Sequence, residues 1–575
     1  MRLSKSKSKN AISYYMIDDV KVDGKRKTVI IENLGTDREL REKYPDQDPE
    51  AVCRAYIAQV NQDLKEGRLT ISHTFSNHKQ LERDQLQHLH GGYLFLQSIY
   101  HELGLPLIAK GIEQKSRFKY SLDEILSRLV YTRVLFPGSK RSSLASAKKF
   151  LEPPGYTLEQ SYRALDVLAE YSDEIQAAVY KQSQLVLPRN DKVLYYDCTN
   201  FYFEIEQEDH FRKYGVSKEN RPNPIVQMGL FMDGNGMPLA FEVFPGNQSE
   251  QTSLKPAEKR IIRDFELSRF VLCSDAGVAS TENRVFNTLG GRAYVVTQSI
   301  KKLKSFLKEW ALDPLGWKLE GSKKTYDLRE IPDLDDPASQ RIYYKERWIK
   351  EDDLEQRLIV TFSPRYRLYQ QTLRARQLTR AMKSLHKKKA KRANDPMRFI
   401  QETYVTPDGE VADKSVRALD EEAIEQEAIF DGLYGLATNL EDPIREILTI
   451  TKRRWEIEET FRLMKTDFDA RPIHLSREER IRAHFLTCFL ALLVYRVLEK
   501  KLDEKYTCPE IIDTLCDMNF LDLAGKGFIP TYTRTELTDD LHEAFGFRTD
   551  LEILDHRMIR NIFKQTKKKR KNTQK

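Results

Sequence analysis

The chain has 575 residues, which is long enough for several domains and a full hydrophobic core. Its formal net charge of +7 is modest, but the basic residues are distributed unevenly along the sequence. The 6 cysteines form no C-x-x-C pair, which favours reduced thiols and argues against a zinc ribbon or a disulfide scaffold.

Two features of the sequence indicate a cytoplasmic protein without a membrane partner. The opening M-R-L-S-K-S-K-S-K-N has no apolar stretch after its charges, so we expect no signal peptide. The longest apolar run, residues 485–494, is too short to span a bilayer. It predicts a buried core helix.

The first part of the chain divides into two predicted regions. In residues 1–75, period-two segments at 12–17 and 27–31 flank an Asp-Gly turn and predict a small β-hairpin. Residues 76–187 show helical apolar spacing, for example in G-G-Y-L-F-L-Q-S-I-Y-H-E-L-G, and predict a helical domain.

Two aspartates follow apolar runs in residues 188–300. Asp197 stands in V-L-Y-Y-D-C-T-N-F-Y-F-E and Asp275 in F-V-L-C-S-D-A-G, so we expect each carboxylate at the tip of a buried strand. Residues 261–300 read helix, strand, Asp-Ala-Gly, helix, strand, as in an α/β sheet that binds ligands at the carboxyl ends of its strands. An Asp in this position is often only a turn or helix cap, and that alternative stays open.

Residues 301–428 contain strand-like segments and a basic run. K-T-Y-D-L-R-E-I, R-I-Y-Y-K-E-R-W-I and E-Q-R-L-I-V-T-F predict strands. Between Arg365 and Asn394 there is no acidic residue, so the run could neutralise several nucleic-acid phosphates, although a solvated helix face is the alternative. The candidate phosphate contacts include Arg374, Arg376, Arg380, Lys383 and Lys387.

A third acid, Glu458, lies in residues 429–475 on a predicted helix. At about 100° per residue, Arg454, Glu458 and Lys465 fall within roughly 40° of one another, so a carboxylate and two cations share one helix face. The remaining residues, 476–575, are predicted to be helical and to end in the basic tail K-Q-T-K-K-K-R-K-N-T-Q-K.

Asp197, Asp275 and Glu458 together favour a divalent metal site. Mg²⁺ prefers hard oxygen ligands and keeps several waters, so one or two carboxylates per ion suffice when a substrate phosphate completes the shell. Three carboxylates could therefore hold two ions of Mg²⁺ or Mn²⁺. Such a two-metal site activates water on one side of a phosphorus and stabilises the leaving oxygen on the other.

In combination, these motifs resemble the DDE transposases of bacterial insertion sequences. The family typified by insertion sequence four has the signature Tyr, two residues, Arg, three residues, Glu, six residues, Lys. The matching positions here are Thr451, Arg454, Glu458 and Lys465, with Thr in place of Tyr. P-G-N-Q-S-E, D-G-L-Y-G-L-A-T-N and D-F-D-A-R-P-I-H-L are similar to the subgroup typified by insertion sequence sixteen thirty-four, and the resemblance spans roughly residues 10–500.

The resemblance implies a fold and a domain order. It implies a ribonuclease H-like α/β catalytic core in residues 188–300 and 429–475, interrupted by a mostly β insertion at 301–428. The 183 residues from Asp275 to Glu458 are too many for a single crossover, which agrees with an insertion. The helical domain at 76–187 becomes a candidate for binding DNA ends.

The resemblance also implies an activity. Asp197, Asp275 and Glu458 would hold the metal, while Thr451, Arg454 and Lys465 would contact DNA. We interpret the chain as a transposase that hydrolyses the phosphodiester at each transposon end and joins the freed 3′-hydroxyl to target DNA. Its expected partners are double-stranded terminal inverted repeats, target DNA and a second copy in a synaptic homodimer, near the bacterial nucleoid.

Two alternatives stay open. The first is a structure-selective nuclease on the same core. The second is a DNA-binding protein that has lost catalysis, which the presence of all three acids disfavours.

Overall fold

The chain folds into two compact units, Met1–Gln85 and Leu86–Lys575, in a computed structural model. The structure describes residues 1–7, 11–22, 25–66, 77–78, 80, 83–116, 118–331, 341–351, 354–383, 395–405, 411–523 and 526–568. The predicted core, insertion and C-terminal segments belong to the second unit, as does the predicted helical segment 76–187 from Leu86 onward.

The first unit is built on an antiparallel sheet of strands β1 (Arg2–Lys7), β2 (Ile12–Val22) and β3 (Lys25–Thr36). The strands β2 and β3 pair where the hairpin was predicted, although the Asp-Gly turn itself lies outside the described residues. Two helices follow, α1 (Asp37–Lys43) and α2 (Pro49–Glu66).

The second unit begins with a helical region and ends with one. Its helices before the large sheet are α3 (Tyr93–Glu102), α4 (Leu105–Lys115), α5 (Leu122–Leu135), α6 (Lys140–Ala147), α7 (Leu158–Glu170) and α8 (Ser172–Ser183). Its last helices are α16 (Glu478–Lys501), α17 (Cys508–Asp517), α18 (Glu536–Phe545) and α19 (His556–Thr566). A small sheet joins the two ends through β4 (His88–His90), β17 (Asn519–Asp522) and β18 (Phe528–Pro530).

The middle of this unit is one large mixed sheet with further helices. Its strands are β5 (Val193–Tyr202), β6 (Ile225–Asp233), β7 (Pro238–Pro245), β8 (Val271–Ser274), β9 (Ala293–Thr297), β10 (Trp317–Leu319), β11 (Thr325–Tyr326), β12 (Tyr343–Glu351), β13 (Leu354–Phe362) and β16 (Leu433–Thr438). The accompanying helices are α9 (Glu250–Asp264), α10 (Thr281–Phe286), α11 (Ser305–Leu312), α12 (Pro364–Lys383), α13 (Glu421–Ala428), α14 (Ile444–Lys452) and α15 (Trp455–Thr466). A separate hairpin consists of β14 (Ile400–Val405) and β15 (Val411–Leu419).

The described strands of the large sheet run in the order β11-β10-β12-β13-β16-β9-β8-β5-β6-β7. The pairs β5–β8 and β8–β9 are parallel, and the others are antiparallel. The mixed sheet and the helices that cover it confirm the predicted α/β class.

The segment 301–428, which was predicted to be a mostly β insertion, contributes strands to the large sheet in its described part. Its strands β12 and β13 continue the large sheet because β13 pairs with β16, the strand that returns to the core. K-T-Y-D-L-R-E-I forms only the short strand β11 followed by a 3₁₀ turn, whose first residues are capped by the Asp327 side chain. With α11, α12 and α13, the described part of the segment is mixed α/β.

Two hydrophobic layers cover opposite faces of the sheet. Alternation along β5 places Tyr195 and Phe201 in the layer that contains α16, while Leu194 and Tyr196 face the layer that contains α9. The predicted core helix is α16. It is long and apolar enough to cross a membrane by composition, but 94% of its apolar window is buried inside the protein.

Candidate active site

Asp197 and Asp275 lie on neighbouring parallel strands. Asp275 directly follows β8, as predicted, whereas Asp197 lies within β5 and not at its tip. The prediction for Asp197 was wrong because β5 stays paired with antiparallel β6 as far as Tyr202. The parallel pairing of β5 with β8 stops at Tyr196 opposite Ser274, so both carboxylates follow the same rung of the sheet.

Asp197 belongs to the face of the sheet that α15 covers, since it has the strand parity of Tyr195, which packs in the layer with α15. Asp275 follows β8, whose Cys273 packs in the same layer. The buried side chains of α15 in this layer include Ile457, Phe461 and Met464.

Asp197 is a strongly perturbed acid. Burial, together with the nearby acids Asp275 and Glu250, raises the pKa of its carboxyl group to about 6, although the neighbouring Lys218 lowers it. Its Oδ1 accepts a hydrogen bond of 2.7 Å from the backbone N–H of Cys198. A buried carboxyl group surrounded by other acids is stabilised in its charged form by a cation.

Glu250 is a fourth acid at this site, and the sequence reasoning did not single it out. Asp275 accepts hydrogen bonds from the backbone N–H groups of Gly277 (2.9 Å) and Val278 (3.2 Å). A Cβ at Gly277 would lie 3.2 Å from an Asp275 carboxylate oxygen and 3.3 Å from Glu250 Oε2. The missing side chain therefore leaves a space that two carboxylates share. The available signal was the motif P-G-N-Q-S-E, which ends in Glu250.

Lys218 was also missed, because it lies in the loop between β5 and β6, far from any recognised motif. Its ammonium group is 3.0 Å from Glu250 Oε1 and donates a hydrogen bond to the backbone carbonyl of Cys198. It also interacts electrostatically with Asp197. Lys218 thus connects the two acids in the described structure.

Glu458 lies on α15, and Arg454 occupies the N-cap position of the same helix. Arg454 Nη2 is 3.6 Å from Glu458 Oε1, and the guanidinium also interacts electrostatically with Asp275. The Glu458 side chain is 61% exposed. Arg454 therefore interacts with the acid on α15 and with the acid that follows β8.

Among the described residues, the three predicted acids do not form a tight ligand cluster. Within the part of the chain that the structure describes, the group of three potential ligands with atoms within 4.8 Å of one another is Asp539, His542 and Asp550. Arg548 pairs with both of those aspartates, so that group is a charge-compensated network near the C-terminus. Asp197, Asp275 and Glu250 still provide the hard oxygen donors that fit Mg²⁺ or Mn²⁺, with Glu458 on the covering helix.

Lys465, near the end of α15, lies beside Lys218 and Asp197. Its Nζ is 3.3 Å from Glu219 Oε1. Burial, together with the neighbouring Lys218, lowers the pKa of the Lys465 ammonium to about 8.

Thr451 lies on the preceding helix α14. Its hydroxyl donates a 2.9 Å hydrogen bond to the backbone carbonyl of Ile447. The Thr451 hydroxyl, which was predicted to contact DNA, therefore donates its hydrogen bond within the helix. Its oxygen can still accept a hydrogen bond from another partner.

Several long-range contacts fix the position of α15. Tyr195 on β5 donates a 2.8 Å hydrogen bond to the carbonyl of Ile450 in α14, the helix that precedes α15. At the other end, Arg133 Nη1 donates to the carbonyls of Phe468 (3.0 Å) and Asp469 (3.1 Å). Glu458 and Lys465 are thus carried on a helix that is tied at both ends.

The basic residues of α12 separate into two groups. Arg374 is 13% exposed and makes a bidentate ion pair with Asp431, so it holds the helix against the rest of the protein. Arg376, Arg380 and Lys383 are exposed. Lys387 and the rest of the run lie outside the described residues.

Comparison with known proteins identifies the family. The transposase DDE domain matches residues 188–494, more than half of the chain. The chain belongs to this family, and the protein is a DDE transposase, an enzyme whose partner is DNA and whose relatives generally depend on divalent metal ions.

One solved structure with a match is the piggyBac transposase synaptic complex with hairpin DNA, determined by cryo-electron microscopy. It shares 8% sequence identity, with 83% of this chain and 85% of that chain covered, at a TM-score of 0.36. No curated protein matches the chain.

Proposed function

We propose that this transposase cuts DNA at the ends of a bacterial insertion sequence and inserts the ends into target DNA, using a ribonuclease H-like core. The observation that carries the proposal is the placement of Asp197 and Asp275 where the parallel pairing of β5 and β8 stops. Glu458 lies on the helix that covers the same face. The three acids predicted from the sequence thus belong to one region of the fold.

Asp197, Asp275 and Glu458 would hold two ions of Mg²⁺ or Mn²⁺, with Glu250 beside Asp275. The metal ions, when bound, would activate the attacking water and stabilise the leaving oxygen. Water attacks the phosphorus at the transposon end, and the bond to the 3′-oxygen breaks, which leaves a 3′-hydroxyl and a 5′-phosphate. In the second step the 3′-hydroxyl attacks a target phosphodiester and displaces another 3′-oxygen.

The cations around the acids would position the DNA. Arg454 can bind a phosphate with two parallel hydrogen bonds, and its interactions with Glu458 and Asp275 would bring that phosphate next to the metal-binding acids. Lys465 supplies a second cation beside Asp197. Thr451 contributes at most an acceptor oxygen, since its hydroxyl proton is donated to Ile447.

The remaining partners follow from the reaction. The exposed Arg376, Arg380 and Lys383 on α12, with Lys387 beyond the described part of the helix, would bind phosphates of the terminal inverted repeats or the target. Joining two ends calls for two active sites, so we propose a homodimer in the synaptic complex, working at the bacterial nucleoid in the cytoplasm.

Cleavage of a duplex carrying the ends of the protein's own element tests the proposal. Asp197→Ala, Asp275→Ala and Glu458→Ala should each abolish metal-dependent cleavage while DNA binding survives, because the acids repel phosphate. Glu459→Ala is the matched control: this acid lies on the same helix but pairs with Arg462 and Arg496, and cleavage should persist.

The outcomes separate the candidate functions. Cleavage at the wild-type rate by any one of the three alanine variants would show that its acid is not a metal ligand. Cleavage by the wild-type protein without joining to target DNA would identify a nuclease, and binding without cleavage would identify a protein that has lost catalysis.

A further inference from the structure

Three cations converge on one carboxylate beside the active site. Glu219 Oε1 is 3.3 Å from Lys465 Nζ, Glu219 Oε2 is 3.7 Å from Arg221 Nε, and Arg471 forms a third ion pair with the same side chain. We call these four residues the Glu219 cluster. In the described part of the chain, no other acid forms an ion pair with the three cations, so the cluster keeps an excess of positive charge.

The cluster is held in place by the fold. The Ser217 hydroxyl accepts hydrogen bonds from the backbone N–H groups of Glu219 (3.3 Å) and Arg221 (3.1 Å), which closes a tight turn. The buried Asn200 on β5 anchors the same turn, because its side chain donates to the Val216 carbonyl (3.0 Å) and accepts from the Lys218 N–H (3.3 Å). The anion position is therefore formed before any ligand arrives.

Its location connects it to the catalytic acids. Lys465 interacts electrostatically with Lys218 and Asp197, so the cluster begins next to the acid on β5. On its far side the ring of Tyr202, the last residue of β5, lies 4.1 Å from the Arg221 guanidinium and 5.8 Å from that of Arg471. Cations beside an aromatic ring are typical of a surface that binds a nucleic-acid strand.

We propose that the Glu219 cluster is a phosphate site for the DNA strand that enters the active site, and that Glu219 occupies it until DNA binds. A carboxylate and a phosphodiester present similar oxygen anions to lysine and arginine. DNA binding would displace Glu219 and place a backbone phosphate among Arg221, Lys465 and Arg471. The proposal rests on the DNA-cleaving function proposed above.

The test is the salt dependence of DNA binding, measured by fluorescence anisotropy with a short mixed-sequence duplex and with one of its single strands, in EDTA. Removing the internal competitor with Glu219→Gln should tighten binding about fivefold and steepen the log–log salt slope by about one unit. Glu208→Gln is the matched control, because Glu208 lies on the same loop and forms its ion pair with Lys213, outside the cluster. It makes the same change in net charge without freeing the cluster.

The outcomes are distinguishable from a failure of the proposed function. If the wild-type protein binds and cuts DNA but Glu219→Gln behaves like Glu208→Gln, the phosphate site is refuted while the function stands. Should Glu219→Gln fail to fold, Arg221→Ser replaces it, since this side chain is 48% exposed. Arg221→Ser should weaken binding and flatten the slope, and an unchanged slope would overturn the proposal.

Discussion

At the scale of a single residue, we propose that the Arg454 guanidinium, which lies 3.6 Å from Glu458 and interacts electrostatically with Asp275, holds the scissile phosphate. We predict that Arg454→Ala lowers the single-turnover cleavage rate by roughly a hundredfold, because donors beside developing charge contribute most in the transition state. Arg454→Lys should restore only part of the rate, since an ammonium cannot make two parallel hydrogen bonds.

Measurement of cleavage rate and end affinity for the same variants checks this. Arg445→Ala is the matched control, as Arg445 is exposed on α14 and should change neither quantity. Equal losses of rate and affinity in Arg454→Ala would show that Arg454 only anchors DNA.

A second residue, Lys140, affects stability rather than reaction. It is completely enclosed at the start of α6, its Nζ has no hydrogen-bond partner in the described structure, and Arg133, His484 and Cys488 face it. Burial, reinforced by Arg133, lowers the pKa of its ammonium to about 7. The folded protein therefore binds this proton less readily than the unfolded chain does, and wild-type stability should rise between pH 7 and 10.

We predict that Lys140→Met raises the free energy of unfolding at pH 7 by on the order of 2 kcal/mol, because it removes a lone buried amine. The advantage over wild type should shrink at pH 9. Thermal unfolding at both pH values measures this difference in stability. Lys148 is exposed, so Lys148→Met is the control and should leave the stability unchanged. A Lys140→Met protein that melts below wild type at pH 7 would mean that Lys140 has an anionic partner in solution.

At the scale of the element, α12 presents its cations on different sides. Arg374 is consumed by Asp431, whereas Arg376, Arg380 and Lys383 are exposed. We predict that charge reversal of the three exposed residues weakens end binding and flattens its salt dependence by about one log–log unit for each phosphate that the helix no longer binds. Binding isotherms at several salt concentrations measure the slope.

Arg374→Gln is the informative comparison for α12. It leaves Asp431 without its partner, so the thermal midpoint should fall while the salt slope stays near that of wild type. If Arg374→Gln flattened the slope as much as the triple reversal, the division of α12 into a packing side and a DNA side would be wrong.

The sequence predicted features that depend on local pattern, and it could not predict those that depend on tertiary contacts. Asp275 was placed correctly because a short apolar strand followed by Asp-Ala-Gly ends at the aspartate. Asp197 was misplaced along its strand because the length of β5 depends on β6, a partner that periodicity does not reveal. Lys218 and Glu250 could not be predicted because tertiary contacts bring each of them to the site. Arg374 could not be distinguished from Arg376 by sequence, because only the fold brings Asp431 into contact with Arg374.

For the whole molecule, every candidate site residue that the structure describes lies in the second unit, from Leu86 to Lys575. Its core includes α16, which packs against the face of the sheet that carries Asp197 and Asp275. The first unit has a small core of its own around Tyr14, Leu40 and Cys53. A large unit that contains its own core is expected to fold without the small one.

We therefore predict that residues 86–575 alone form a folded protein that binds Mn²⁺. Calorimetry should show one cooperative transition within about 5 °C of the main transition of the full chain, because a unit with its own core unfolds as one. Asp197→Ala in the shortened chain should remove Mn²⁺ binding and leave the unfolding transition unchanged. This result would show that the variant loses the metal site and keeps the fold. Residues 1–85 alone should be marginally stable, since so small a unit buries little apolar surface. Aggregation of the shortened chain, or loss of its cooperative transition, would show that the first unit is required to complete the core of the second.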